Sequence, residues 1–246
     1  MKAFTTNIAV NTSSERIRRS GPIYANGSFT YIPIPFAGSD ITYADIRLKS
    51  AFRRMGIKEK LKHGVHYDPE FAGYTFGTYP EEKSSVANLK RIRRGDLLVF
   101  FGSLERTTHE LYGDRFAPWI ADPRGMYLFG FFEVIGILTR NGEILSKPLG
   151  KIAYSTNAHY VYYKSDPGNN SWIFKGSNNS CLLSTAIRIG RKEFEKLFDL
   201  KLPRKSNQSE TALVSSYMRS AREVADVPFL IKLISEYCPV EWLNLN

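Results

Sequence analysis

The period of the hydrophobic positions changes several times along the chain, and each change marks an element. Phe4 to Val10 alternate loosely and are rich in strand formers, predicting a first strand that ends in the polar, basic stretch 11–20. In SGPIYANGSFTYIPIP the Asn26-Gly27 pair signals a tight turn between short strands at Ile23–Ala25 and Phe29–Ile34. Pro33 and Pro35 cannot donate to a ladder, so the second arm belongs at an edge. Thr42 to Gly56 sets Ile46, Leu48, Phe52 and Met55 at helical spacing between a capping threonine and a terminating glycine, predicting a helix. HGVHYDPEFAGYTFGTYPEEKSS mixes glycine, proline and aromatics without a sustained period and reads as an ordered loop, of a length that is often functional.

From Leu97 the pattern is β. LLVFF, MYLFGFFEVIGIL (Met126 to Leu138), KIAYS and HYVYY read as strands of one sheet or barrel, with a turn at Asn141-Gly142 and a further strand at Trp172–Lys175. RKEFEKLF and, from Ser209, ETALVSSYMRSAREV read as helices separated by a polar linker at Pro203–Ser209. The predicted class is α+β: a curved mixed or antiparallel sheet with flanking helices, for which closure into a small PUA-like barrel is one available form. Residues 1–200 are expected to form this domain, and 201–246 a helical extension packed on it. No GxGxxG or GxxxxGK[ST] follows a strand, so Rossmann and P-loop architectures are disfavoured.

Composition sharpens the picture at three points. Among 246 residues, 34 Lys and Arg oppose 24 Asp and Glu, giving +10, which favours a polyanionic partner: nucleic acid, DNA or RNA, plain or modified, or a nucleotide. Cys181 and Cys238 lie far apart with no Cys or His at metal spacing, so neither a disulfide framework nor a zinc site is expected, and a reducing, cytoplasmic interior fits. The N-terminal segment turns polar after Val10, which argues against a signal peptide or a membrane anchor. No cofactor motif is recognised.

Taken in order, SGPIYANGSFTYIPIP, TYADI, HYDPEF, RIRRGDLLVFFGSL, YLFGFFEVIGIL and WIFKGSNNSCLLSTA resemble the nucleotide modification associated domains, most closely the third of that group, over roughly Ser20 to Ala186. The resemblance implies a role tied to modified bases in nucleic acid, and it supplies no catalytic mechanism. GDLLVFF followed by glycine and a second aromatic strand is also similar to the small barrels of the PUA, ASCH and YTH kind, in which a sheet frames a base-sized aromatic pocket.

Candidate chemistry falls into three groups. Arg16, Arg18 and Arg19, with Lys90, Arg91, Arg93 and Arg94 just before a strand, are placed to neutralise phosphates without reading sequence; the alternative is a solvated, dipole-complementing surface. Of the aromatics in the turn-rich first third (Tyr24, Tyr31, Tyr43, Tyr67, Phe71, Tyr74, Phe76, Tyr79), some are core and roughly one to three are expected to meet a ligand, Tyr24 and Tyr74 being the first choices for stacking a base. Ser103, Glu105, Asn157, Trp172, Lys175 and Ser177, at or near strand ends, complete the expected base pocket, and Asn157 and His159 share strand parity. His66 and Asp68 of HYDPE can share one face of an extended segment, which makes them, with His159, the acid/base candidates; an Asp before Pro is otherwise a turn residue. The sequence thus supports a reader of a modified or flipped base with an aromatic pocket and basic rim. Its alternatives are an enzyme acting on a base, and a structural partner of a modification system.

Overall fold

The computed structural model describes residues 1–8, 21–24, 26–35, 39, 41–46, 48, 61–79, 85–106, 124–139, 142–144, 157, 159–160 and 170–238. Its organising element is a 16-residue strand, β5 (Arg124–Thr139), preceded in the chain by β1 (Ala3–Asn7), β2 (Gly21–Ile23), β3 (Thr75–Thr78) and β4 (Leu97–Arg106). After it come β6 (Gly142–Ile144), β7 (Trp172–Gly176), β8 (Cys181–Arg188), helices α1 (Arg191–Phe198) and α2 (Glu210–Tyr217), β9 (Arg222–Glu223) and α3 (Val227–Ser235). The strand order is β3-β7-β5-β4-β1-β9, with β2 on β4 and both β6 and β8 on β5. β1 and β2 run parallel to β4 and the other ladders are antiparallel, so the sheet is mixed, and it stays open instead of closing into a barrel.

Irregular pairing explains the curvature. β5 shifts register against β4 at Phe100/Phe101, against β8 between Leu128 and Gly130, and against β7 between Val134 and Gly136. Each bulge bends the strand, so its first half pairs with β4 and β8 and its second with β7 and β6. Leu97 to Phe101 are fully buried, and alternate residues feed two cores. Leu97, Val99 and Phe101 pack with Phe194, Leu213, Val214, Leu230 and Ile234 of the helices. Leu98 and Phe100 face Phe76, Phe129, Phe132 and Phe174. The period-2 alternation of one strand therefore separates a helix-covered face from an aromatic one.

The helix ends follow their local chemistry. Ser209 Oγ accepts the Ala212 amide at 3.2 Å and Asp226 Oδ1 accepts Phe229 N–H at 2.9 Å, capping α2 and α3, while Gly190 opens α1 with its N–H donated to Glu193 Oε2. The C-terminal helices share their core with β1 and β4.

Several expectations change. The glycine-rich segment expected to be wholly loop contains β3, because β7 offers it a full antiparallel ladder. HYVYY is not a strand where it is described: His159 and Tyr160 are helical. The predicted helix from Ser209 ends at Tyr217, and Arg222 and Glu223 turn back as a strand on β1. Ser103 and Glu105 do not follow the strand but lie inside β4, which runs on to Arg106. Most of Thr42–Gly56 lies outside the described residues, and residues 42–46 form a bridge and a turn; KIAYS is also outside them. The Asn26-Gly27 turn is present, with Gly27 at φ 83°, yet its second arm pairs only through the Ile23–Phe29 bridge. Cys181 and Cys238, expected to be unpaired, are disulfide-bonded, with Cα atoms 6.7 Å apart. Packing of α3 against β8 brings the two together, and Ser184 Oγ donates to the Tyr237 carbonyl beside them. Free thiols therefore no longer argue for a reducing interior. Among the described residues no helix is long and apolar enough to cross a membrane.

Candidate functional site

The segment 65–79 folds back on itself, and this fold builds the site. Val65 N–H is bound by the Ile41 carbonyl and His66 N–H by the Ile34 carbonyl, while Tyr31 donates its hydroxyl to the Asp68 carbonyl at 2.6 Å. After the cis Asp68–Pro69 bond, Glu70 and Thr75 exchange both backbone hydrogen bonds, at 2.8 and 2.9 Å. The Glu70 carboxylate, 1% exposed, fills the turn it spans, accepting from Gly73 N–H and from Thr75 Oγ1. β3 then runs back past Asp68, and Gly77 N–H donates to Asp68 Oδ1 at 2.9 Å.

The second half arrives from about ninety residues away. Asn157, fully buried, donates Nδ2 to the same Asp68 Oδ1 at 2.9 Å. Its own Oδ1 accepts His159 N–H at 2.9 Å and its carbonyl accepts Tyr160 N–H at 3.0 Å, so it caps the helical turn that carries His159. His159 then lies over the β3 backbone at Gly77, where a Cβ would stand 2.3 Å from that of His159. Its Nε2 is 3.6 Å from Asp68 Oδ2, and its ring centroid is 4.8 Å from that of His66 and 5.0 Å from that of Tyr79. One ligand atom from each of His66, Asp68 and His159 falls within 4.8 Å of the others. Tyr79, 39% exposed, carries the cluster out toward solvent.

Burial dominates the electrostatics. It lowers the His66 imidazole to about 4, and that of His159 to about 3 with help from His66, so both are neutral at pH 7. Burial raises Asp68 well above the carboxylate range, against the opposing hydrogen bonds from Gly77 and Asn157. The His159–Asp68 contact is accordingly not an ion pair, and 3.6 Å is too long for a hydrogen bond. Among the described residues His159 Nδ1 has no hydrogen-bond partner. Such a group of neutral imidazoles and a carboxyl can exchange protons with a bound substrate, or present an N, N, O donor set to a metal ion.

The other predicted residues are distributed along the sheet. Tyr74, at φ 52°, packs edge-on to Phe132, and its carbonyl accepts Gly176 N–H. Lys175 donates to the Gly73 carbonyl, and burial lowers its ammonium against the opposing pull of Glu70. Trp172 lies on the same strand, where it pairs with Thr78, while Ser177 Oγ donates to Glu133. These four adjoin the β3–β7 edge. Tyr24, 8% exposed, shares a hydrogen bond with Thr30 Oγ1 beyond β2, a strand aligned with Leu104 to Arg106. Ser103 pairs with Met126 in the ladder, and Glu105 forms an ion pair with Arg124. Arg91 bridges to Glu223 of β9, and Arg93 donates to the Lys90 and Ile92 carbonyls, with Lys90 and Arg94 exposed beside them. Arg91 thus ties this basic segment to β9, while Leu89 and Ile92 of the same stretch pack in one core cluster with Phe76 of β3. Arg16, Arg18 and Arg19 lie outside the described residues. Sequence reasoning did not single out Gly77 or Asn157's bridging role; an isolated glycine within the strand-like YTFGTY was the available signal for a close approach.

An open mixed α+β sheet with a buried histidine–aspartate cluster at one edge defines the class. Residues 2–228 match the sequence profile of nucleotide modification associated domain 3, and the chain belongs to that family. The match extends beyond the Ser20–Ala186 span of the motifs, taking in β1, α1, α2 and β9. No curated protein and no solved structure matches the chain.

Proposed function

We propose that the protein is an enzyme of nucleotide modification that acts on a base brought to the His66–Asp68–His159 cluster, with Tyr79 as the stacking surface on its outer side. The supporting observation is convergence: two imidazoles and a carboxyl from segments 66–68 and 159 meet in a buried site, and Asn157 bonds both halves. Desolvating three ionisable side chains for structure alone is costly, and such groups cluster where chemistry is done. Tyr79 supports a base as the substrate group, since an exposed ring against His159 offers a π face worth about 1 to 3 kcal/mol per stacked base. Recognition of a modified or flipped base is the first step of this reading. Tyr79 suits it better than Tyr24, whose ring is buried.

Plain and modified oligonucleotides and free nucleotides, incubated with the protein and digested to nucleosides, provide the test by mass spectrometry. Wild type is expected to yield a nucleoside of altered mass, and Asp68→Asn to lower its rate by about a hundredfold or more while retaining the native circular dichroism. No altered nucleoside from any substrate, or an undiminished yield from Asp68→Asn, would overturn the proposal.

A further inference from the structure

We infer that His66, Asp68 and His159 bind one divalent first-row transition-metal ion through one nitrogen of each imidazole and one carboxylate oxygen. The inference deepens the reading of this cluster as the working centre and rests on it for its purpose, although not for its geometry.

Two observations carry it. The first is spacing. Ligands of a single ion at about 2.0 to 2.2 Å stand roughly 3 to 3.5 Å from one another. His159 Nε2 and Asp68 Oδ2, 3.6 Å apart, match two co-ligands and are too distant to satisfy each other. The whole set lies within 4.8 Å, so binding would draw the most distant ligand atoms together by about 1 Å.

The second is orientation. Asp68 Oδ1 is occupied by Gly77 N–H and Asn157 Nδ2, which fixes the carboxyl plane and turns Oδ2 toward His159. Asn157 also fixes the backbone of His159. Outer groups that hold ligands in this way are characteristic of metal centres.

Two imidazoles and one carboxylate suit zinc, iron(II), manganese(II) or cobalt(II), and three protein ligands leave positions open for water or substrate. Tyr79 stands against His159, where a base at those positions can stack.

Cobalt(II) and zinc, titrated into the chelator-stripped full chain without nucleotide, test the site. One equivalent per chain is expected, and wild-type NMR should show large contact shifts at the imidazoles of His66 and His159, well beyond any shift at His63. His66→Gln, Asp68→Asn and His159→Gln should each weaken binding about 100-fold or more, and Asn157→Ala about 10- to 100-fold, whereas His63→Gln leaves it unchanged. Should the ligand variants fail to fold, the wild-type stoichiometry and shifts decide alone. Absence of stoichiometric binding, or shifts confined to His63 and His109, would overturn the inference. Because no substrate enters the measurement, a negative result leaves the nucleoside experiment standing, and a failed nucleoside experiment leaves this one standing.

Discussion

At Gly77 the β3 backbone lies so close to His159 that a methyl group would stand 2.3 to 2.5 Å from three of its side-chain atoms, and the same residue's N–H holds Asp68. Because the obstructing atoms begin at the His159 Cβ, rotation of a side-chain tip cannot relieve the clash. Gly77→Ala is therefore expected to cost about 1 to 3 kcal/mol in urea unfolding and to displace His159 from the cluster; unchanged stability would show that the approach is looser than described. At this scale the sequence was partly legible. His66 and Asp68 were readable from the two-residue spacing of HYD, and His159 was identified as an acid/base candidate. Its position was read from strand parity, however, whereas Asn157 places it by capping a helical turn. A cap whose side chain also reaches an aspartate 89 positions away leaves no local periodicity to read.

The elements show which signals are local and which are not. LLVFF, MYLFGFFEVIGIL, WIFK and RKEFEKLF became β4, β5, β7 and α1, since their apolar patterns are set by burial on faces of known period. β3 and β9 were missed because their four and two residues gain strand form only by pairing with distant partners, β7 and β1. The return at 70–75 likewise depends on one buried side chain. Glu70 spans that turn with backbone and carboxylate bonds, so Glu70→Ala leaves the Gly73 amide and Thr75 hydroxyl unsatisfied, at about 1 to 3 kcal/mol each where burial is complete. Amide hydrogen exchange across 70–78 should quicken in that variant while β4 and β5 keep their protection. Equal protection throughout would mean that the turn is held by other contacts.

For the molecule as a whole, the features that the sequence suggested were one site fall on different strands. A +10 chain draws polyanions to itself; Arg91 of the basic segment bridges to Glu223 of β9, whereas the histidine–aspartate cluster is built on β3. Strand order depends on every long-range pairing at once, which is why the α+β class was legible and the placing of these residues on particular strands was not. The same reason hid the disulfide, since it joins β8 to the chain just after α3 across 57 residues. The central claim is that a base is handled at the cluster and not along the basic segment. Photo-cross-linking of an oligonucleotide with a photoreactive base, followed by peptide mapping, measures this directly. The account predicts cross-links on the peptide carrying Tyr79, lost in Tyr79→Ala, and cross-links confined to residues 90–94 would contradict it.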